Sequence, residues 1–186
     1  MQWREQIPNV LWTCENFMDK QSFEDIKKKV LSTETVDMEQ SNFKYKAHKG
    51  RLRDDPTVTE PFIQRLNFQY LSLFKKSAPA RGLSSTQFIV KSFVPNESYY
   101  DLHQEDPRIY GECAFMYYLT DEIDGDLHLP AFDFKLTPME NLCVIMKTGV
   151  LHKVDKCSGP RLCVTGWSFA PASRLTKNTL KGYERI

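Results

Sequence analysis

No stretch of this chain approaches the roughly 20 apolar residues of a membrane-spanning helix, and neither sign of charge dominates it. With 25 Lys and Arg against 24 Asp and Glu, the formal net charge is +1, so composition offers no global electrostatic case for a nucleic acid or an anionic membrane. The Cys-x-x-Cys spacing is also missing. The five cysteines, Cys14, Cys113, Cys143, Cys157 and Cys163, are odd in number and scattered. That pattern argues against a disulfide framework or a zinc finger, and for reduced thiols in an intracellular, cytoplasmic protein. The opening Met1-Gln2-Trp3-Arg4-Glu5 is polar, which reads as no signal peptide. There is no internal repeat and no low-complexity segment. Histidine is scarce, with His48, His103, His128 and His152 alone.

What remains is 186 residues of ordinary soluble composition, enough for one domain, 1–186, with a substantial core. Residues 8–14 read as a short strand. Residues 22–31 read as a helix with Ser22 as N-cap, Asp25 three residues on, and Phe23, Ile26 and Val30 on one face. Residues 33–40 are polar and read as loop. A turn at 56–60 leads into a helix over about 59–77, with Thr59 as cap and Pro61 in the first turn. From residue 86 the pattern changes to short strands, at 86–94, 98–104, 111–119, 126–129, 132–136, 141–147, 150–155 and 161–169. Helices followed by many strands predict a mostly β (α+β) fold, a largely antiparallel double sheet with N-terminal helices packed on one side. Residues 1–85 then form helical and strand support, 86–170 the core, and 171–186 a polar tail.

The chemistry concentrates between Tyr99 and Trp167. His103 and Glu105 are two apart, and in an extended strand positions i and i+2 share a face. Two side chains of one strand can therefore hold one ion, with His152 as a third ligand from a distant strand. Two imidazoles and a carboxylate with open positions form the ligand set of non-heme Fe(II) oxygenases. Asp106 is the rival carboxylate, although on a regular strand it would face away from His103. Arg161 follows His152 by nine residues, and a planar, permanent guanidinium grips a carboxylate with two hydrogen bonds. Arg161 shares a strand face with Cys163, Thr165 and Trp167, whereas Leu162 and Val164 serve the other. His128, alternating with Leu127 and Leu129, reads as a partly exposed strand residue, and His48 has no assigned role.

Taken in order, His103-x-Glu105, Cys113-Ala-Phe-Met-Tyr-Tyr-Leu119, Gly125-Asp-Leu-His-Leu-Pro130, His152 and Arg161-x5-Trp167 resemble the 2-oxoglutarate- and Fe(II)-dependent dioxygenases of the prolyl 4-hydroxylase type. The resemblance covers the C-terminal half and departs at two points. Glu105 stands where the family usually has Asp, and Asp126 replaces the second Gly of a Gly-Gly-x-Leu turn. It implies a double-stranded β-helix (jelly roll) core. It also implies Fe(II) held by His103, Glu105 and His152 as the catalytic centre, and 2-oxoglutarate as cosubstrate, with its far carboxylate on Arg161 and with Tyr118 and Thr165 beside it. Tyr99, Tyr100 and Trp167 are candidates to line the site, and ascorbate is a candidate accessory.

The nucleic-acid demethylase branch of that superfamily typically carries a second Arg where Trp167 stands, so the resemblance favours a prolyl residue of a peptide or protein as substrate and dioxygen as co-reactant. A free amino acid or other small molecule is the alternative. Rivals of other classes are a non-catalytic, cupin-like binding module and a zinc hydrolase, neither of which has a use for Arg161 at this spacing. Residues 43–53 interleave aromatic and basic side chains, reading first as a solvated hairpin, then as a lid, and last as a nucleic-acid contact.

Overall fold

Two buried layers lie back to back across one curled antiparallel sheet in the computed structural model, which describes residues 2–48, 60–62, 65–66, 89–121 and 124–167. The strands are β1 (Arg4–Ile7), β2 (Leu11–Cys14), β3 (Thr35–Gln40), β4 (Phe43–His48), β5 (Ile89–Phe93), β6 (Tyr99–His103), β7 (Cys113–Tyr118), β8 (Leu127–Leu129), β9 (Phe134–Leu136), β10 (Cys143–Lys147), β11 (His152–Val154) and β12 (Arg161–Trp167). They pair in the order β1-β2-β10-β7-β12-β5-β4-β6-β11-β8-β9, with β3 on β4. The helices are α1 (Lys20–Leu31) and the single turn α2 (Pro107–Tyr110). Residues 60–62 and 65–66 are also helical. The architecture is the mostly β, jelly-roll one that the strand count and the resemblance imply.

Strands β7 and β12 carry unbroken runs of buried residues because both of their faces are covered. Phe115 and Tyr117 on β7, Cys143 and Ile145 on β10, and Leu162 and Val164 on β12 face outward. They meet Phe23, Ile26 and Val30 of α1, together with Phe62 and Leu66. Tyr117 is the centre of this layer, edge-on to Phe62 at 4.9 Å and to Phe23 at 6.4 Å between ring centroids. The alternate residues Met116, Tyr118, Val144, Met146 and Cys163 face inward, into a second layer closed by Phe43, Tyr45, Leu127 and Leu129. The period of two thus divides one sheet between a helix-backed core and a lumen.

Several expectations need correction. Helix α1 begins two residues before Ser22, because Asp19 is the N-cap and its carboxylate accepts from the Ser22 amide at 2.9 Å and the Ser22 hydroxyl at 2.8 Å. The segment 33–40 is not loop. From Thr35 to Gln40 it forms edge strand β3, paired along its length with β4 in a hairpin. The stretch 8–14 begins as the turn that joins β1 to β2. The strand expected at 132–136 is shorter, since Pro130–Phe132 is a 3-10 turn closed by Asp133 in the left-handed region at φ 47°. Helix α2 was not anticipated.

Residues 43–48 form an internal strand. Phe43, Tyr45 and Ala47 point inward, and outward Lys44 and Lys46 meet Glu39, Glu97 and Asp37 at 3.5–3.8 Å. Residues 49–53, most of the helix expected over 59–77 and the tail 171–186 lie outside the described residues.

Candidate metal and anion site

The two inner histidines are register partners. Strand β11 runs antiparallel to β6 with His152 opposite His103, and their ring centroids lie 4.3 Å apart. Each Nδ1 sits on a backbone carbonyl two residues earlier, His103 on Asp101 at 2.7 Å and His152 on Val150 at 2.9 Å. A carbonyl oxygen only accepts, so both Nδ1 atoms donate and both Nε2 lone pairs turn toward the lumen. This backbone contact fixes tautomer and ring orientation, as expected of imidazoles that ligate a metal. Burial, followed by the neighbouring His152, pushes the His103 pKa down to about 4, which keeps the ring neutral at ordinary pH.

Strand β6 ends at His103, so Glu105 does not share its strand. The chain turns inward after His103, and Glu105 Oε1 lies 3.9 Å from Nε2 of His103 and 3.7 Å from Nε2 of His152. Ligand atoms of all three residues fall within 4.8 Å of one another, while Glu105 Oε2 is buried without a partner. Its neighbour Asp106 is spent elsewhere. It caps α2 by accepting from the Arg108 amide at 2.9 Å and forms a two-pronged pair with the Arg108 side chain. That pair holds the Asp106 carboxyl below the usual carboxylate range. Two imidazole nitrogens and an orphaned buried carboxylate oxygen fit one divalent transition-metal ion.

Arg161 opens β12 and is 2 % exposed, the largest of the fully buried side chains. Its guanidinium lies over the Phe93 ring at 5.3 Å, Nη2 reaches the Asp124 carbonyl only at 3.5 Å, and Nε has no partner. A buried permanent cation held this loosely is set up for an anion. The lumen between it and the histidines is a cavity of about 60 Å³, lined by Tyr100, Met116, Tyr118, Cys163, Thr165 and Trp167 among others.

Of the residues singled out in the sequence, His103, Glu105, His152, Arg161, Tyr100, Tyr118, Thr165 and Trp167 come together here. Tyr118 donates to Met116 Sδ at 3.9 Å and Thr165 to the Ile89 carbonyl at 3.3 Å. Tyr99 does not line the pocket and instead has the Lys156 ammonium over its ring at 5.7 Å. Asp126 accepts from Thr137 at 2.7 Å, tying the turn before β8 to the segment after β9. Half-buried His128 keeps out of the site.

Sequence reasoning missed Lys91 and Phe93. Lys91 is buried on the lumen side of β5, and burial lowers its pKa against the opposing pull of Cys163 and Glu105. The signal was the alternation itself, since Phe93 and Lys91 are two apart and share a face.

No protein-family profile and no curated protein sequence matches the chain. Solved structures do. A prolyl-4-hydroxylase from Pseudomonas putida superposes with TM-score 0.67 at 14 % identity, over 88 % of this chain and 94 % of that one. A 2OG-Fe(II) oxygenase family oxidoreductase from Burkholderia pseudomallei gives 0.66 at 10 %, over 89 % of each chain. A Trichoplax adhaerens prolyl hydroxylase, in complex with a hypoxia inducible factor oxygen degradation domain peptide fragment, gives 0.65 at 16 %, over 87 % of this chain and 84 % of that one. The chain has the fold of these proteins.

Proposed function

We propose that this chain is an Fe(II)- and 2-oxoglutarate-dependent oxygenase that hydroxylates an unactivated C–H bond, with a prolyl residue of a peptide or protein as its substrate. One observation carries the reading: a His103, Glu105, His152 cluster and a buried Arg161, which forms no salt bridge among the described residues, face the same lumen. Neither a zinc hydrolase nor a cupin-like binding module needs both. The similarity in fold to prolyl hydroxylases, one of them in complex with a peptide, supports the substrate class.

His103, Glu105 and His152 would hold the iron through Nε2, a carboxylate oxygen and Nε2. Bound there, iron would supply the oxidative decarboxylation of 2-oxoglutarate by dioxygen, giving succinate and CO2 and one oxygen atom for the substrate C–H bond. The protein's share is orientation. Arg161 pairs with the far carboxylate of 2-oxoglutarate, in a lumen whose low dielectric strengthens that pair. Met116, Met146, Phe93 and Trp167 exclude water around it. The carbonyls of Asp101 and Val150 keep both imidazoles in the ligating tautomer.

The test is an anaerobic titration of metal-free protein with Fe(II) and then 2-oxoglutarate, followed in the visible range. A charge-transfer band that disappears in Arg161→Ala at the same ligand concentration is the expected result. Iron binding without a band at any 2-oxoglutarate concentration sinks the oxygenase reading and leaves a metal-binding module. With the band in hand, peptides and free amino acids screened in the presence of ascorbate for the gain of one oxygen distinguish the prolyl substrate from a small molecule.

A further inference from the structure

The lumen holds a second cation that this chemistry leaves unused. Lys91 is 7 % exposed, and the described residues give its ammonium no hydrogen-bonded or ion-paired anion. It faces rings instead, with Tyr100 at 4.7 Å, Tyr45 at 5.0 Å and Trp167 at 6.0 Å from Nζ to the centroids. Ring quadrupoles offset only part of the cost of burying an ammonium. Among the described residues, only the more distant Glu105 and Cys163 act on this charge, so its burial there is poorly compensated.

Its position says what the anion is. Lys91 is the register partner of Cys163, and Arg161 lies two residues before Cys163 on the same face. The two side chains therefore leave the sheet from positions one strand apart and two residues apart, roughly 5 Å across and 7 Å along it at the backbone. Arg161 sits over Phe93, whereas Lys91 sits over Tyr100, whose ring packs on His103 at 4.4 Å. Lys91 thus marks the end of the lumen that carries the histidines. Among the described residues, two basic side chains, Arg161 and Lys91, face the lumen against the single carboxylate of Glu105.

We propose that Lys91 is a carboxylate-binding residue, so that the lumen takes a five-carbon dicarboxylate by both ends, one carboxylate on Arg161 and the other on Lys91. The inference rests on the reading of Arg161 as the anchor for one carboxylate of 2-oxoglutarate. The same chemistry would serve the carboxylate of a free amino-acid substrate, and the experiment separates the two sources.

The first arm uses metal-free protein with chelator present, so that no metal supplies the second contact. Affinities for glutarate and for pentanoate, a monoacid of equal length, are measured by calorimetry. Wild type should prefer the diacid by about tenfold or more, the worth of one charge-assisted contact. Lys91→Met should erase that preference and leave pentanoate unchanged, Lys91→Arg should keep most of it, and Arg161→Ala should weaken both ligands. The second arm takes Mn(II)-loaded protein saturated with 2-oxoglutarate and compares L-proline with L-prolinamide. A proline preference lost in Lys91→Met, with the glutarate preference intact, assigns the carboxylate to the substrate.

If Lys91→Met retains both preferences, or wild type shows neither, the proposal is overturned. Folding is monitored alongside. Removal of an uncompensated buried charge should raise the melting temperature of the ligand-free protein, and a fall would mark Lys91 as merely structural. Wild type that prefers glutarate yet gives no charge-transfer band with Fe(II) and 2-oxoglutarate overturns the oxygenase reading alone.

Discussion

A β-carbon placed on Gly125 would collide with Nη2 of Arg161, and would lie 2.6 Å from the β-carbon of Cys157. Gly125 also has φ +74°, where side chains are strained. Two independent constraints therefore require glycine at this point. The first arises because the chain passes directly against both Cys157 and the guanidinium, and the Asp124 carbonyl touches that guanidinium from the same turn. The glycine of the turn before β8 is in this sense part of the anion site.

Gly125→Ala should accordingly weaken 2-oxoglutarate by about tenfold or more, since a shift of an ångström breaks a bidentate carboxylate contact. The protein should also lose roughly 1–3 kcal/mol of stability from the strained backbone. The charge-transfer titration reads the first and urea denaturation the second. A variant destabilised to this extent with unchanged 2-oxoglutarate affinity would show that Arg161 moves aside without consequence for the ligand.

Glu105 and Asp106 should separate cleanly in metal affinity. Glu105→Ala removes the one carboxylate among the described residues whose oxygen lies within 4 Å of both imidazoles. Mn(II) affinity should fall by at least about a hundredfold, a ligand mattering more than the groups that orient it. Asp106→Ala should leave Mn(II) affinity within about twofold, because its carboxylate is engaged by Arg108. Metal titration with a competing chelator decides between them. A large loss in Asp106→Ala would restore the rival ligand.

The fate of these two acids shows which parts of the site were legible in sequence. The parity of an extended strand separates Glu105 from Asp106, yet the strand stops at His103 and it is the inward turn, then the capping of α2 by Asp106, that divides them. Arg161 with Trp167 was readable because residues on one strand carry their orientation in their spacing, whereas His103 was joined to His152 by the order of motifs in the resemblance. Lys91 was not readable, because β5 is apolar around it and a lone Lys in a strand reads as a solvated edge. Strand β3 escaped because Thr35, Asp37, Glu39 and Gln40 are polar and exposed, and only Val36 and Met38 between them pack on the core beside the ladder to β4. The start of α1 escaped because Asp19 and Ser22 are both good caps three residues apart, and which one serves depends on where the chain leaves Phe17 and Met18 in the core.

Asn141 should be the most sensitive polar residue on the helix-backed side. It adopts φ 60°, its Oδ1 accepts from the Met18 amide at 2.9 Å and the Tyr117 hydroxyl at 2.8 Å, and its Nδ2 donates to the Met18 carbonyl at 2.9 Å. One side chain thus joins the segment before α1 to the central aromatic of the outer core. Asn141→Ala loses all three bonds and retains the backbone strain, for a cost of about 2–4 kcal/mol. Asn141→Gly should recover up to about 1 kcal/mol of this by relieving the strain. The ordering of urea midpoints, wild type above Gly above Ala, is the check, and equal midpoints for Gly and Ala would remove strain from the account.

The last expectation concerns acid. Hydrogen bonds from the Ser22 amide and hydroxyl hold the Asp19 carboxyl below its ordinary value of 3.8. Arg65 adds to this from 3.3 Å while donating to the Phe17 carbonyl at 2.8 Å, so the carboxylate links α1 to the helical segment at 65–66. A carboxyl whose folded value is depressed contributes stability that is fully present above the unfolded value and is lost as pH falls through the folded one. Asp19→Asn keeps a capping oxygen without the charge. Wild type should therefore have the higher urea midpoint at pH 6, the gap should narrow only below pH 3.8, and 0.5 M salt should shrink the part due to Arg65. A gap of constant size down to pH 2 would mean that the shape of the cap, and not its charge, holds the start of α1.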